Sequence, residues 1–287
     1  MILSFNIEYR TNWGEEVKLA GLSTESTPMY TTDGIYWTAE VELEVPQEGL
    51  TIHYSYQIEQ NGIVIRKEWN NFPRCLFLSG TPRKKYRIND CWKNIPEQLY
   101  LYSSAFTEAL LSHPERVDIP QGYKKGLIIK AYAPRINKDY CLAICGNQKA
   151  LGNWDPEKAV LMSDSNFPEW QVELDASKLK YPLEYKFILC HKQERKIDCW
   201  EKNPNRYLAD PEIKTNETLV ISDRYVYFDI PMWKGAGIAI PVFSLKSEKS
   251  FGVGDFGDLK LMIDWAVNTH QKVIQILPIN DTTMTHT

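Results

Sequence analysis

Long hydrophobic runs are missing from this sequence of 287 residues. No apolar stretch approaches the roughly 20 residues that a transmembrane helix needs. The N-terminus, MILSFNIEYR, begins at once with alternating apolar and polar residues, and it lacks both the basic start and the apolar stretch of a secretion signal. These absences argue against a membrane protein and against export, so we expect a cytoplasmic protein.

An excess of basic charge is also missing. The chain has 33 Lys and Arg against 37 Asp and Glu, which gives a formal net charge of −4. This balance provides no electrostatic attraction for nucleic acid or for an anionic membrane. We therefore expect neither of them as a partner.

Metal-ligand spacings are absent as well. The 6 cysteines form no CxxC pair, and the 5 histidines show no paired ligand spacing. In a cytosolic protein these cysteines are expected to be reduced thiols. We expect no metal site and no cofactor.

Aromatic residues are abundant, with 9 Trp and 16 Tyr in a chain that is 12% aromatic. Short alternating runs separated by turn signals such as Asp33-Gly34 and Asn61-Gly62 are typical of β-sandwich domains. The chain is long enough for two domains and part of a third. We predict a β-sandwich at 1–78, a linker with a short helix at 79–123, a second β-sandwich at 124–230, and the start of a different domain at 231–287.

The most informative stretch runs from Glu184 to Arg206, EYKFILCHKQERKIDCWEKNPNR. Its first part alternates as a half-buried strand does, so Tyr185 and Phe187 face the core and Lys186 faces outward. Trp200 begins a polar loop, where an indole ring is expected at the surface. Aromatic rings beside polar side chains suit a sugar, because its C–H face stacks on a ring while its hydroxyls form hydrogen bonds.

Four ordered motifs, LGNW, PEWQVEL, LEYKFI and WEKNPNR, resemble the family 20 carbohydrate-binding modules, which are immunoglobulin-like starch-binding β-sandwiches. The resemblance covers roughly residues 124–229. It implies a glucan site at Trp154, Lys186, Trp200 and Asn205, in which the two indoles stack on glucose and the other two side chains donate hydrogen bonds. The alternative is that both tryptophans belong to the core. The family's second site is not expected, because its tyrosines are missing here.

The first predicted sandwich resembles a diverged copy of the second. Matching EWNNFPR to CWEKNPNR places Trp69 at the position of Trp200 and Arg74 at that of Asn205. Ser55 then replaces the lysine. We therefore expect Trp69 to be a weak glucan contact at most, with a spacer or docking role as the alternative for this domain.

The last 57 residues change character. A strand at 237–243, a helix at 258–269 with an acidic N-terminus, and an apolar strand at 272–277 together predict a βαβ unit. The tail resembles the opening of glycoside hydrolase family 77, the 4-α-glucanotransferases, and the closer match is to the type with two family 20 modules before the barrel. This resemblance implies the first βαβ of an incomplete (β/α)8 barrel.

Family 77 enzymes are retaining, so an Asp nucleophile and a Glu acid/base are implied. In the family these carboxylates lie on later barrel strands, and we assign no catalytic residue here. Asp255 or Asp258 is expected to cap the helix or to place a negative charge at its N-terminus, whereas Asn280 and Asp281 could line the substrate cleft. We expect residues 1–287 alone to be inactive.

The resemblance implies that the chain is the N-terminal, glucan-binding region of a 4-α-glucanotransferase acting on starch, glycogen or maltooligosaccharides. The full enzyme would move α-1,4-glucosyl units from maltose or maltooligosaccharides to a glucan acceptor. A stand-alone, non-catalytic glucan-binding protein is the first alternative. The second is an immunoglobulin-like interaction module without a sugar ligand.

Overall fold

A computed structural model describes residues 1–80, 85–111, 113, 121–194, 196–230 and 233–279. Its internal contacts divide the chain into two compact units, Met1–Ile230 and Pro231–Thr287. Within the described ranges, no helix is both long enough and apolar enough to cross a membrane.

The first unit consists mainly of β-strands. The strands of its first part are β1 (Ile2–Glu8), β2 (Glu15–Ala20), β3 (Thr27–Pro28), β4 (Tyr36–Glu42), β5 (Leu50–Gln60), β6 (Ile63–Lys67), β7 (Arg74–Leu78) and β8 (Lys85–Cys91). Those of its second part are β9 (Lys125–Tyr132), β10 (Tyr140–Gly146), β11 (Val160–Leu161), β12 (Ser163–Asn166), β13 (Glu169–Asp175), β14 (Leu183–His191), β15 (Ile197–Trp200), β16 (Arg206–Leu208) and β17 (Glu217–Tyr225). Short helical turns occupy Leu99–Tyr102, Ala105–Leu110, Lys149–Trp154, Pro156–Lys158 and Ala176–Lys178. The mostly β fold confirms the predicted class.

A single seven-stranded sheet, which we call the common sheet, runs through the whole first unit in the order β12-β13-β9-β17-β8-β1-β4. At its centre β17 pairs in parallel with both β8 and β9. Each half is covered by a five-stranded sheet, β3-β2-β5-β6 with β7 beside β5, or β11-β10-β14-β15 with β16 beside β14. The unit thus contains two sandwiches, called the first and second sandwich, that share one sheet.

The two sandwiches pack on opposite faces of the common sheet. In β17, Val220 belongs to the first core and Leu219 to the second. Neighbouring residues of a strand point to opposite faces, so the two cores lie on different sides. Members of the first core include Leu3, Phe5, Tyr56, Leu76 and Ile88. Members of the second core include Leu127, Ile129, Trp170, Tyr185 and Phe187.

Strand β8 lies in the segment that the sequence predicted as a linker. Tyr86 and Ile88 are buried in the first core, whereas Lys85, Arg87 and Asn89 alternate with them on the other face. The polar half of this pattern resembled a solvated linker because the face it occupies is not covered by the first sandwich. The first sandwich therefore extends to residue 91, beyond the predicted boundary at residue 78.

A buried ion-pair cluster joins three strands of the first sandwich. Arg74 donates to Glu68 Oε1 at 2.7 Å and to Asp90 Oδ1 at 3.0 Å. The hydroxyls of Tyr54 and Tyr56 both donate to Asp90 Oδ2 at 2.9 Å. The glutamate also accepts from the backbone N–H of Tyr56 at 3.1 Å, which fixes the start of the segment after β6.

The second sandwich repeats this cluster. Arg206 donates to Glu201 Oε2 at 2.9 Å and lies 3.5 Å from Asp223 Oδ1. Tyr185 donates to Asp223 Oδ2 at 2.6 Å, and the backbone N–H of Phe187 donates to Glu201 Oε1 at 2.9 Å. The same contacts in the same strands show that the two sandwiches are copies of one design.

These matching contacts align the two sandwiches on their glutamates. Gln57 follows Tyr56, whose backbone N–H bonds Glu68, and Gln57 pairs with Lys67. The equivalent residue of β14 is Ile188, which follows Phe187 and pairs with Trp200. Lys67 therefore occupies the place of Trp200. The predicted match of Trp69 to Trp200 was wrong, because it aligned the two indoles instead of the buried carboxylates.

The second unit contains strand β18 (Gly237–Ile240), helix α1 (Phe256–Asn268) and strand β19 (Val273–Ile276). The two strands pair in parallel, which confirms the predicted βαβ order. Asn280 and Asp281, which the sequence suggested as cleft residues, lie outside the described residues.

Helix α1 begins with a capping box. Asp255 accepts from the backbone N–H groups of Gly257 at 2.7 Å and Asp258 at 3.1 Å. Asp258 in turn accepts from the hydroxyls of Ser247 at 2.5 Å and Ser250 at 2.8 Å, and these bonds lower its pKa. Both carboxylates are thus committed to the start of the helix, where the sequence predicted that one or the other would cap it.

The buried cluster predicts a large stability effect at Arg74. The Arg74→Met substitution leaves Glu68 and Asp90 buried without their cation, so we expect a loss of roughly 3–5 kcal/mol in the free energy of unfolding. Urea denaturation followed by circular dichroism measures this loss. The matched control is Arg66→Met, because Arg66 is 44% exposed and lies 3.5 Å from Glu15. The control should change stability by less than about 1 kcal/mol, and equal effects of the two substitutions would contradict the prediction.

Candidate carbohydrate-binding site

A tight turn after β10 carries Trp154 to the surface of the second sandwich. Three consecutive residues, Gly152, Asn153 and Trp154, have positive φ angles of 83°, 52° and 60°. A Cβ atom at Gly152 would lie 2.9 Å from the carbonyl oxygen of Lys158, so this position requires glycine. Leu151 is fully buried and anchors the turn in the core. The left-handed run therefore presents the half-buried indole from a rigid support.

Trp200 reaches the same place from another element. It is the last residue of β15 and lies opposite Ile188 of β14. The ring centroids of Trp154 and Trp200 are 6.2 Å apart, and the ring planes are inclined by 50°. Both indoles are half-buried, and neither is fully enclosed in the core. The fold thus brings together two predicted site residues that are far apart in sequence.

Lys186 lies on the outward face of β14, as the alternation predicted. Tyr185 and Phe187 on either side of it are buried in the core. Lys186 itself is half-buried and pairs in register with Cys145 of β10, the strand that precedes the Trp154 turn. Its ammonium group forms no ion pair or hydrogen bond with any residue in the described ranges, so it is available as a donor.

Asn205 is exposed in the loop after Trp200 and is held by a partner that the sequence reasoning missed. Its Nδ2 donates to Glu184 Oε1 at 2.8 Å. This bond orients the amide and leaves its carbonyl oxygen and second N–H for another partner. Glu184 stands two residues before Lys186 on β14, so strand periodicity alone would have placed both on one face.

Tyr207 is a second residue that the sequence reasoning missed. It lies on β16 directly opposite Glu184, and its side chain is 67% exposed. Residues opposite each other in an antiparallel pair project to the same side of the sheet. The signal for it was weak, because β16 spans only Arg206–Leu208.

The loop between Trp200 and Asn205 is closed by the buried cluster of the second sandwich. Glu201 and Arg206 flank the loop and form a bidentate pair, with Nε to Oε1 at 3.2 Å and a terminal nitrogen to Oε2 at 2.9 Å. Burial raises the pKa of Asp223, and Arg206 acts against this shift. The ion pair fixes both ends of the loop, and with them the indole and the amide.

Trp69 does not share this arrangement. Its side chain is only 8% exposed and makes an edge contact with Tyr102 at a centroid distance of 4.9 Å. The ammonium group of Lys93 lies 5.5 Å from the ring centroid. With protein packed around the ring, Trp69 offers no free face to a sugar, which corrects the prediction for this residue. Arg74 is likewise not the equivalent of Asn205, because it is buried in the cluster described above.

Comparison with known families gives two matches. Residues 129–220 match the sequence model of a family described as starch binding domain. Residues 240–287 match that of a family described as 4-alpha-glucanotransferase. The first match contains Trp154, Lys186, Trp200 and Asn205, and the second contains α1 and β19.

Curated relatives carry the same description. The chain is 27% identical to "4-alpha-glucanotransferase DPE2" of Oryza sativa subsp. japonica over 98% of its own length and 32% of the relative's. It is 50% identical to a "4-alpha-glucanotransferase" of Chlamydia trachomatis over 16% of its own length and 9% of the relative's. The chain thus spans about a third of the rice protein.

Solved structures show a more distant likeness. The family 20 module of a maltotetraose-forming amylase from Pseudomonas saccharophila is 18% identical, with 34% of this chain and 99% of that chain covered and a TM-score of 0.28. A glucoamylase from Hypocrea jecorina is 21% identical, with 39% and 19% covered and a TM-score of 0.31. These TM-scores are too low to define a fold, so the assignment depends on the sequence matches.

The loop closure predicts that Arg206 affects sugar binding without touching the sugar. In the Arg206→Met chain the loop loses its ion pair with Glu201, so Trp200 and Asn205 should lose their fixed positions. We expect weaker binding of β-cyclodextrin as well as lower stability, measured by calorimetric titration below the melting temperature. Arg74→Met is the matched control, since it removes the equivalent cluster from the first sandwich. Equal cyclodextrin affinities of the two variants would contradict a positioning role for Arg206.

Proposed function

We propose a function from the premise that the chain contains a starch binding domain followed by a glycoside hydrolase family 77 segment and is homologous to 4-alpha-glucanotransferases. The proposal is that the chain binds α-1,4-glucans as the N-terminal region of such an enzyme. The observation that carries this proposal is the pair of indole rings of Trp154 and Trp200, 6.2 Å apart and inclined by 50°. The natural ligands would be starch, glycogen and maltooligosaccharides.

The inclined rings suit an α-glucan better than a flat polymer. An α-1,4-linked chain curves, so the C–H faces of successive glucose units are inclined to one another. Two aromatic planes at 50° match two such faces, whereas a straight, flat chain would contact only one ring. Stacking on both rings would supply most of the affinity.

Polar side chains around the rings would fix the orientation of the sugar. The ammonium group of Lys186, which has no partner among the described residues, lies on the same side of the sandwich. The amide of Asn205 is held by Glu184 at 2.8 Å and keeps one donor and one acceptor for a ligand. These groups can bond glucose hydroxyls without being reorganised first, which lowers the entropic cost of binding.

The catalytic part of the proposal concerns the whole enzyme. We infer that it transfers α-1,4-glucosyl units from maltose or maltooligosaccharides to a glucan acceptor, with retention of configuration. The name of the rice relative, of which the chain covers 32%, supports this inference. Asp255 and Asp258 are engaged in the cap of α1 and are therefore not proposed as catalytic residues.

We further propose that this binding takes place in the cytoplasm and involves neither nucleic acid nor membrane. None of the 6 cysteines, all of which lie in the described ranges, forms a disulfide bond, which suits a reducing compartment. The net charge of −4 gives a polyanion no general attraction to the chain.

Trp200→Ala tests the glucan site. An aromatic platform contributes ~1–3 kcal/mol by analogy with base stacking, so we expect at least about tenfold weaker binding of β-cyclodextrin and of glycogen. Calorimetric titration and retardation in a glycogen-containing gel measure the two affinities. Trp13→Ala is the matched control, because Trp13 is fully exposed on the first sandwich and should not affect binding. Unchanged retardation of the Trp200→Ala chain would refute the site.

Residues 1–287 expressed alone should bind glucan but should not disproportionate maltotriose. In the described part of the second unit, the α/β portion consists of β18, α1 and β19, and family 77 carries its nucleophile and acid/base on later strands. Incubation with maltotriose followed by chromatography of the products checks this expectation. Appearance of glucose and longer oligosaccharides would contradict it.

A further inference from the structure

A large groove lies on the common sheet, away from the two indoles of the candidate site. It has a volume of about 1260 Å³, and all the residues that line it belong to the first unit. It arises because the two sandwiches cover opposite faces of the common sheet. On β8, β1 and β4, the face that points away from the first core is therefore left open beside the second sandwich.

A row of four side chains, three of them polar, forms the floor of the groove. Thr38, Asn6, Asn89 and Ile221 are register neighbours on β4, β1, β8 and β17 and so project to one face. Asn6 Nδ2 donates to Asn89 Oδ1 at 3.1 Å. Asn89 is exposed, and its own amide N–H groups have no partner among the described residues. The floor thus offers oriented amide groups to a ligand.

Aromatic rings stand around this floor. Tyr36 on β4 is 62% exposed, and Tyr227 from the second sandwich is 52% exposed. Trp92 is half-buried and packs against Tyr9 at a centroid distance of 4.3 Å, which holds its ring in place. Planar amides together with exposed aromatic rings are the combination that binds sugars, as in the candidate site.

The charges in the groove favour a neutral ligand. Of the described cations that line it, Arg87 bonds Glu217 at 3.1 Å, and Arg74 and Arg206 lie in the two buried clusters. Lys93 donates to the backbone carbonyl of Phe72. Because these cations are already paired, the groove has no special attraction for a phosphate or a nucleic acid.

The groove also adjoins the candidate site through one loop. Trp200 and Asn205 on this loop belong to the candidate site, whereas Asn203 and Arg206 line the groove. A glucan chain that is held by the two indoles and is long enough to pass this loop would meet the groove at a raised effective concentration.

We propose that this groove is a second α-glucan site, which takes a linear stretch of the polymer between Tyr36, Asn89 and Tyr227. The nature of the ligand rests on the proposed function, but the residues are separate from Trp154 and Trp200. The chain would then bind long glucans at two places and short ones at either place alone.

The test uses chains of residues 1–287 and the linear probe maltoheptaose. In a chain with Trp154→Ala and Trp200→Ala, we expect maltoheptaose binding to persist in calorimetric titration with one weaker class of site. Adding Tyr36→Ser and Asn89→Ala should weaken this remaining binding about tenfold, since an aromatic platform and an amide donor are lost. Tyr30→Ser is the matched control, because Tyr30 is 70% exposed and does not line the groove.

The outcomes separate the two proposals. Loss of all maltoheptaose binding in the double tryptophan variant would overturn the groove site and leave the proposed function intact. Unchanged affinity of that variant, together with loss on Tyr36→Ser and Asn89→Ala, would overturn the indole site and leave the groove. Remaining binding that is insensitive to both groove substitutions would also overturn the groove site. Side-chain amide signals of Asn89, followed by NMR during titration of the unaltered chain, should shift with maltoheptaose, and their constancy would overturn the proposal even if a variant failed to fold.

Discussion

The parallel pairing of β17 with both β8 and β9 is the constraint on which the rest of the first unit depends. One strand serves two cores, because Val220 points into the first and Leu219 into the second. A strand with apolar side chains on both faces must be covered on both sides. The two sandwiches supply this cover from opposite directions. They cannot be separated without exposing one face of β17, so the unit is one folded body instead of two modules on a tether.

The open groove is a direct result of that arrangement. Where the first sandwich covers one face of β8, β1 and β4, the other face is left to polar side chains, and the second sandwich stands beside it. The loop after Trp200 lies at this junction. Its closure by Glu201 and Arg206 fixes the indole and the amide on one side and Asn203 on the other. A single buried ion pair therefore supports the surfaces of both proposed glucan sites.

Strand periodicity predicted much of the second sandwich from the sequence. The alternation in β14 gave the inward direction of Tyr185 and Phe187 and the outward direction of Lys186, because the period of two is a local property. Motif matching failed at Trp69, where the two sandwiches were aligned on their tryptophans. The element that both sandwiches share is a buried glutamate that accepts a hydrogen bond from a backbone N–H group of a neighbouring strand. Such a contact leaves no pattern in the local sequence. Strand β8 was missed for a similar reason, since its polar side chains line an open face that only the shared sheet creates.

The sequence by itself determined most of the segments that form strands, which face of those strands is apolar, where the βαβ unit begins, and which families the chain resembles. These features depend on neighbouring residues and on short motifs. Only the tertiary structure decided that the indoles of Trp154 and Trp200 lie 6.2 Å apart, that Trp69 is enclosed, and that the sandwiches share a sheet and leave a groove. The physical reason is that long-range pairing, above all the register of β17 between β8 and β9, sets which faces meet and which remain open to a ligand.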